Sequence, residues 1–140
     1  MDEKVGAVPR RQLLAQAVGT YAPYPKAGTP LFETVLQGYR RMRDMARSDV
    51  VTLVVVLTDG RDQDSRFTMP RAELRDQLTA LRDPARPVPV FGIGYDTDAD
   101  MSALSEIAQL TGGQAIQSTQ PGDLATAMAR IFLAAHQADR

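Results

Sequence analysis

The chain has 140 residues, enough for one domain with a core that needs no cross-links, and it contains no cysteine. Thiolate zinc sites, disulfides and thiol chemistry are therefore excluded, while the redox compartment stays undetermined. With 16 basic and 17 acidic side chains the formal charge is -1, so bulk charge makes no case for nucleic acid or an anionic membrane. No apolar run approaches the roughly 20 residues of a membrane helix, and the opening MDEKVGAVPRR is polar where a signal peptide is apolar. The expectation is a soluble single domain over 1–140, with no leader or anchor in this stretch and its localisation unknown.

From Pro9 to Val18 the apolar residues Leu13, Leu14, Ala17 and Val18 recur at helical spacing, and YAPYPKAG, from Tyr21 to Gly28, then breaks the pattern. Thr29 suits an N-cap with Pro30 at the first helical position, and Leu31, Val35, Tyr39, Met42 and Ala46 line one face of the helix that follows. Next comes Val50 to Gly60, VVTLVVVLTDG, an unbroken apolar run ending in a carboxylate and a glycine. Its valine content without polar alternation predicts a strand buried on both faces, as in a parallel sheet covered by helices. Such a strand delivers Asp59 to the carboxyl edge, where open α/β sheets bind their ligands.

After Gly60 the polar RDQDSRF reads as a loop, and a helix near Pro70 to Arg82 carries the stripe Leu74, Leu78 and Leu81 before Asp83-Pro84 ends it. Val88 to Tyr95, VPVFGIGY, predicts a second buried strand whose Gly92 and Gly94 admit close approach by a neighbour. A helix from about Asp100 to Thr111 packs Met101, Leu104 and Ile107 or Ala108, and Gly112-Gly113 supplies the left-handed residue that closes it. Gln114 to Ser118 reads as a short strand. The last helix, about Gly122 to His136, places Leu124, Met128, Ile131 and Ala135 on one face with Phe132 adjacent. Strands alternating with helices predict an α/β fold, a parallel sheet flanked by helices in three layers.

Three pieces together, AGTPLFETV opening a helix, VVVLTDGRD ending a strand, and VPVFGIGYDTD followed by a helix and LTGGQAIQS, resemble the von Willebrand factor type A (VWA) domain, in that family's order from Gly28 onward. The resemblance implies a Rossmann-like three-layer sandwich whose carboxyl edge carries a metal ion-dependent adhesion site. It maps the family's threonine onto Thr29 and its later aspartate onto Asp59. The family's first ligand group, Asp-x-Ser-x-Ser at the end of an apolar strand, has no counterpart here. The expectation is a shortened domain of about three strands, with 1–28 as a helix and loop lead-in and the family's amino-terminal strands absent. Missing that neighbour, the Val50–Leu57 strand is expected to expose one edge and to self-associate through it.

Each candidate has a plainer explanation beside it. Asp59 before Gly60 is also an ordinary turn carboxylate, and Thr29 before a proline is a good cap without any metal. Asp62 and Asp64 could form an acidic metal loop but read more simply as a solvated surface loop, and Asp96, Asp98 and Asp100 suit turns and caps. Arg40, Arg41, Arg43 and Arg47 crowd one helix, read as a solvated face because Asp44 interrupts them. His136 has no histidine or cysteine partner, no serine or threonine has a visible base, and Gly92-Ile93-Gly94 is no dinucleotide loop. Among the aromatic residues, Tyr21, Tyr24 and Phe32 are read as core or groove fillers.

The leading expectation is a non-enzymatic protein-interaction module with a partial adhesion site, in which Mg2+, or Mn2+ or Ca2+, binds weakly or not at all at Thr29 and Asp59. A protein partner's acidic residue then completes the shell, since a hard cation prefers about six oxygens. The alternatives are a divalent-metal-dependent phosphoryl-transfer or nuclease-type enzyme using Asp59, Asp62 and Asp64, and a metal-free remnant.

Overall fold

The computed structural model describes residues 4–5, 8–20, 28–63 and 69–138. Two short strands, β1 (Lys4–Val5) and β2 (Val8–Pro9), pair antiparallel and lead into α1 (Arg10–Thr20). The hairpin has no counterpart in the sequence reading, because two-residue strands carry no periodicity. The remaining elements are α2 (Leu31–Met45), β3 (Val54–Thr58), α3 (Arg71–Leu81), β4 (Val90–Tyr95), α4 (Met101–Thr111), β5 (Ala115–Ser118) and α5 (Pro121–Ala138). Tyr21, Tyr24 and Asp64 lie outside the described residues.

β3, β4 and β5 form a three-stranded parallel sheet in that spatial order, with Val54 opposite Val90 and Gly92 opposite Ala115. Side chains alternate across a strand, so the register sorts them onto two faces. Val54, Val56 and Val90 join Leu31, Val35, Leu36, Tyr39, Leu74, Leu78 and Ile107 in the larger core beneath α2, α3 and α4. Leu53, Phe91, Ile93 and Ile116 meet Ala127, Met128 and Ile131 of α5 on the other face. The fold is thus an α/β sandwich of three layers.

Local chemistry sets the joints. Asp100 caps α4 by accepting from the Ala103 N–H at 3.0 Å, and Gly112 closes that helix at φ 83°. The Thr111 hydroxyl accepts from Val90 N–H and donates to Ile107 O, both at 2.9 Å, which ties the end of α4 to the start of β4. The β4 glycines allow the close approach expected of them. A Cβ on Gly92 would fall 3.1 Å from the Leu104 side chain, and one on Gly94 would fall 2.8 Å from Ala99 Cβ.

Two expectations need correction. The apolar run from Val50 is not a strand from its first residue: β3 begins at Val54, and Val50 and Val51 are 56% and 43% exposed. β3 is also not covered on both faces, since it stands at the side of the sheet, where α5 packs on β4 and β5 and leaves Val55 and Leu57 37% and 55% exposed. Secondly, the side chain of Thr29 does not cap α2. The helix begins at Leu31 with Pro30 in the cap position, and Thr29 takes part through its carbonyl, which accepts from Leu31 N–H at 2.9 Å.

Candidate functional site at the carboxyl edge of the sheet

The carboxyl ends of the parallel strands and the amino ends of the following helices share one rim of the molecule. β3 delivers Thr58, Asp59 and Gly60 there, β4 delivers Tyr95 and Asp96, and α2 and α4 start beside them. The loop after β3 is fastened to the start of α2 at two points. Gln63 N–H donates to Thr29 O at 2.9 Å, and Phe32 N–H donates to the Asp62 carboxylate at 3.0 Å. A third link runs across the rim, from Asp100 N–H to Gly60 O at 3.4 Å. The segments that carry Thr29 and Asp59 are therefore held against each other, and both side chains are exposed.

Asp62 is the residue whose role the sequence concealed. The first N–H groups of a helix have no partner within it, and a carboxylate there is favoured both as acceptor and by the helix dipole. Asp62 supplies that carboxylate from 30 residues downstream. The acidic loop is thus not merely solvated, and one carboxylate of the Asp59, Asp62 and Asp64 set is committed to a helix end.

The other carboxylates of the rim act locally. Asp96 adopts φ 102°, in the region that non-glycine residues rarely enter. Its N–H donates to Ser118 O at 3.1 Å and its carboxylate accepts from Thr97 N–H at 2.6 Å, so it turns the chain out of β4. Asp100 is the α4 cap already described. Neither arginine contact at the α2 end resembles an anion site: Arg40 donates to Gln77, and Arg47 forms a two-point pair with Asp49 that holds that carboxyl below its usual range.

As a donor set for a divalent ion, Thr29 and Asp59 offer the hydroxyl and carboxylate oxygens that a hard cation prefers. Among the described residues, no three His, Cys, Asp or Glu side chains converge as a metal-holding group. The described residues therefore do not form a closed protein cage, and a hydroxyl with one carboxylate would leave most of a hard cation's oxygen positions to water.

A family model described as the von Willebrand factor type A domain matches residues 7–130. The chain belongs to that family. The match reaches back past Gly28 into the amino-terminal segment, beyond the three motifs that suggested it. Two uncharacterized proteins of Mycobacterium tuberculosis, from strains CDC 1551 / Oshkosh and ATCC 25618 / H37Rv, are each 32% identical over 136 residues. That alignment takes in 95% of this VWA chain and 19% of each relative, so the chain spans about a fifth of the length of the curated relatives it matches. VWA membership points to a protein-interaction module of the family's general kind. No helix among the described residues is long and apolar enough to cross a membrane.

Proposed function

We propose that residues 1–140 act as a single VWA-type interaction domain without enzymatic activity, which recognises an acidic side chain of a protein partner at the carboxyl edge of its sheet. Thr29 and Asp59 hold a divalent ion there, Mg2+ in the first instance, as a partial adhesion site. The observation that carries this reading is the double link between the β3 loop and the start of α2, which keeps the segments bearing these two donors together. A bound ion would supply a Lewis-acidic centre for a partner carboxylate. The chain's own part is to present one hydroxyl and one carboxylate and to leave the remaining positions open, so affinity for the ion alone is low.

The test is calorimetric titration of the purified chain with Mg2+ and Mn2+. Binding is expected at the weak end of protein divalent-ion sites, with Kd on the order of 10⁻⁴ to 10⁻³ M. Asp59→Ala should abolish it, Thr29→Ala should weaken it, and Thr29→Ser should preserve it. Because Thr29 serves α2 through its carbonyl, Thr29→Ala should change stability by no more than about 0.5 kcal/mol, so lost binding cannot be blamed on unfolding. Sub-micromolar binding that survives Asp59→Ala would show that the ion sits elsewhere.

A further inference from the structure

A cavity of about 590 Å³ opens at the amino-terminal end of the sheet, the pole opposite Thr29 and Asp59. α2, α3 and α4 all end at that pole, and the turn from Arg82 to Pro89 and the Gly112-Gly113 turn form walls of the cavity. Its volume lies within the roughly 300 to 1,000 Å³ of small-molecule sites, which are mainly apolar with a few placed polar groups. Val88 and the rings of Pro84, Pro87 and Pro89 supply apolar surface.

Two polar groups meet this surface. Tyr39 belongs to the core, with only 2% of its surface exposed, yet it lines the cavity. Among the described residues its hydroxyl makes no hydrogen bond, and no buried side-chain oxygen or nitrogen lacks a partner. The hydroxyl is therefore the open tip of a buried side chain, an O–H donor presented to the cavity. Three arginines line the same space. Arg47 is held by Asp49 at 2.8 Å and Arg86 by Asp83 at 3.1 Å, whereas Arg82 has no carboxylate partner among the described residues. Arg82 follows α3 directly, and its charge reaches the Tyr39 phenol. Asp83, the one carboxylate of the lining, is already engaged by the Ala85 N–H at 3.0 Å and by Arg86. A cation at a helix carboxyl end also offsets the helix dipole, as Arg43 does in the last turn of α2. That role needs no cavity, and the open phenol beside it sets Arg82 apart.

We propose that this cavity binds a small organic acid, its carboxylate received by the Arg82 guanidinium and the Tyr39 hydroxyl and its apolar body laid against Val88 and the proline rings. A carboxylate accepts from both donors at once, and a charge-assisted bond is roughly twice as strong as a neutral one. A neutral amide loses that share, and inorganic phosphate loses the apolar contact. Because Arg82 is exposed, the ion pair is partly screened and affinity is modest, with Kd on the order of 10⁻⁴ to 10⁻³ M. The cavity shares no residue with the carboxyl edge, so binding here is independent of an ion at Thr29 and Asp59.

The experiment is titration of the full chain with phenylbutyrate, read by calorimetry and by amide chemical shifts, with phenylbutyramide and inorganic phosphate as comparisons. Saturable binding of phenylbutyrate is expected, with shifts centred on Tyr39, Arg82, Val88 and Gly113. The amide should bind about tenfold more weakly and phosphate should not saturate. Arg82→Gln and Tyr39→Phe should each weaken phenylbutyrate binding about fivefold, with unchanged amide spectra away from the cavity confirming the fold. Arg41→Gln, on an exposed arginine outside the cavity, should leave binding as it is. The proposal is overturned if the parent shows no saturable binding of phenylbutyrate, if the amide binds as tightly as the acid, or if neither the Arg82 nor the Tyr39 change weakens binding. Shifts centred on the carboxyl edge instead of this pole overturn it as well.

Discussion

Asp62→Ala tests whether a carboxylate from the β3 loop governs the start of α2. The substitution removes the acceptor of the Phe32 N–H, a 3.0 Å contact at a half-buried position, and leaves the backbone link from Gln63 to Thr29 in place. Losing an N-cap acceptor costs about 1 kcal/mol, within a range of roughly 0.5 to 2, and this includes the attraction of the carboxylate to the helix dipole. At about 2.1 cal/mol/K per residue, the unfolding entropy of a 140-residue chain is roughly 0.3 kcal/mol/K. A loss of about 1 to 2 kcal/mol therefore lowers Tm by roughly 3 to 7 °C. Asp62→Asn keeps an oxygen acceptor but not the charge, so it should lose only the dipole share, about 0.3 to 1 kcal/mol. Differential scanning calorimetry of the three proteins in low salt gives the ranking directly. Equal Tm for the parent and Asp62→Ala would refute the cap, and an asparagine variant as stable as the parent would refute the part given to its charge.

Two further outcomes follow from the core. A Cβ on Gly113 would lie 1.9 Å from Val90 O and 2.6 Å from Val90 C, so Gly113→Ala must push α4 off β4 and should cost several kcal/mol. Gly112→Ala meets open space but a φ of 83°, at a cost of about 1 to 2 kcal/mol. Urea titrations that reverse this order would show that the Val90 contact is not rigid. Burial raises the Tyr39 phenol pKa, with Arg43 and Arg82 pulling it down by a smaller amount. A folded pKa above the unfolded value of about 10 means that the tyrosine's contribution is intact below pH 10 and is lost as pH rises through the folded value. Stability should therefore fall more steeply above about pH 10 in the parent than in Tyr39→Phe, and identical alkaline limbs would remove Tyr39 from the account.

Features written in adjacent residues were legible from the sequence. The stripe Leu74 and Leu78, the Asp100 cap, the left-handed Gly112 and the spacing glycines of β4 each depend on neighbours a few positions away, and each occurs as read. The cap of α2 was not legible in this way. A threonine before a proline satisfies every local rule for an N-cap, yet an acceptor 30 residues distant takes the Phe32 N–H, and no local pattern announces a partner across a loop. The same distance explains why Asp62 read as solvent-facing. Its chemistry is set by the helix it meets, not by the residues beside it.

The Val50 to Leu57 run shows a different limit. An unbroken apolar stretch reports hydrophobicity, and hydrophobicity alone cannot distinguish a strand flanked by two strands from one flanked by one. Among the described residues β3 stands at the side of the three-stranded sheet, and that position decides which of its residues are covered. The consequence is physical as well as topological. The face toward α2 is covered, whereas the face toward α5 ends at β4, so alternate residues of one strand divide into core and surface. The recognition proposed at the carboxyl edge rests on the side-chain oxygens of Thr29 and Asp59, both exposed and away from the core clusters. Asp59→Ala should therefore remove ion binding while changing stability by no more than about 0.5 kcal/mol, since the side chain is exposed, and a large loss of Tm would show that Asp59 serves the fold instead.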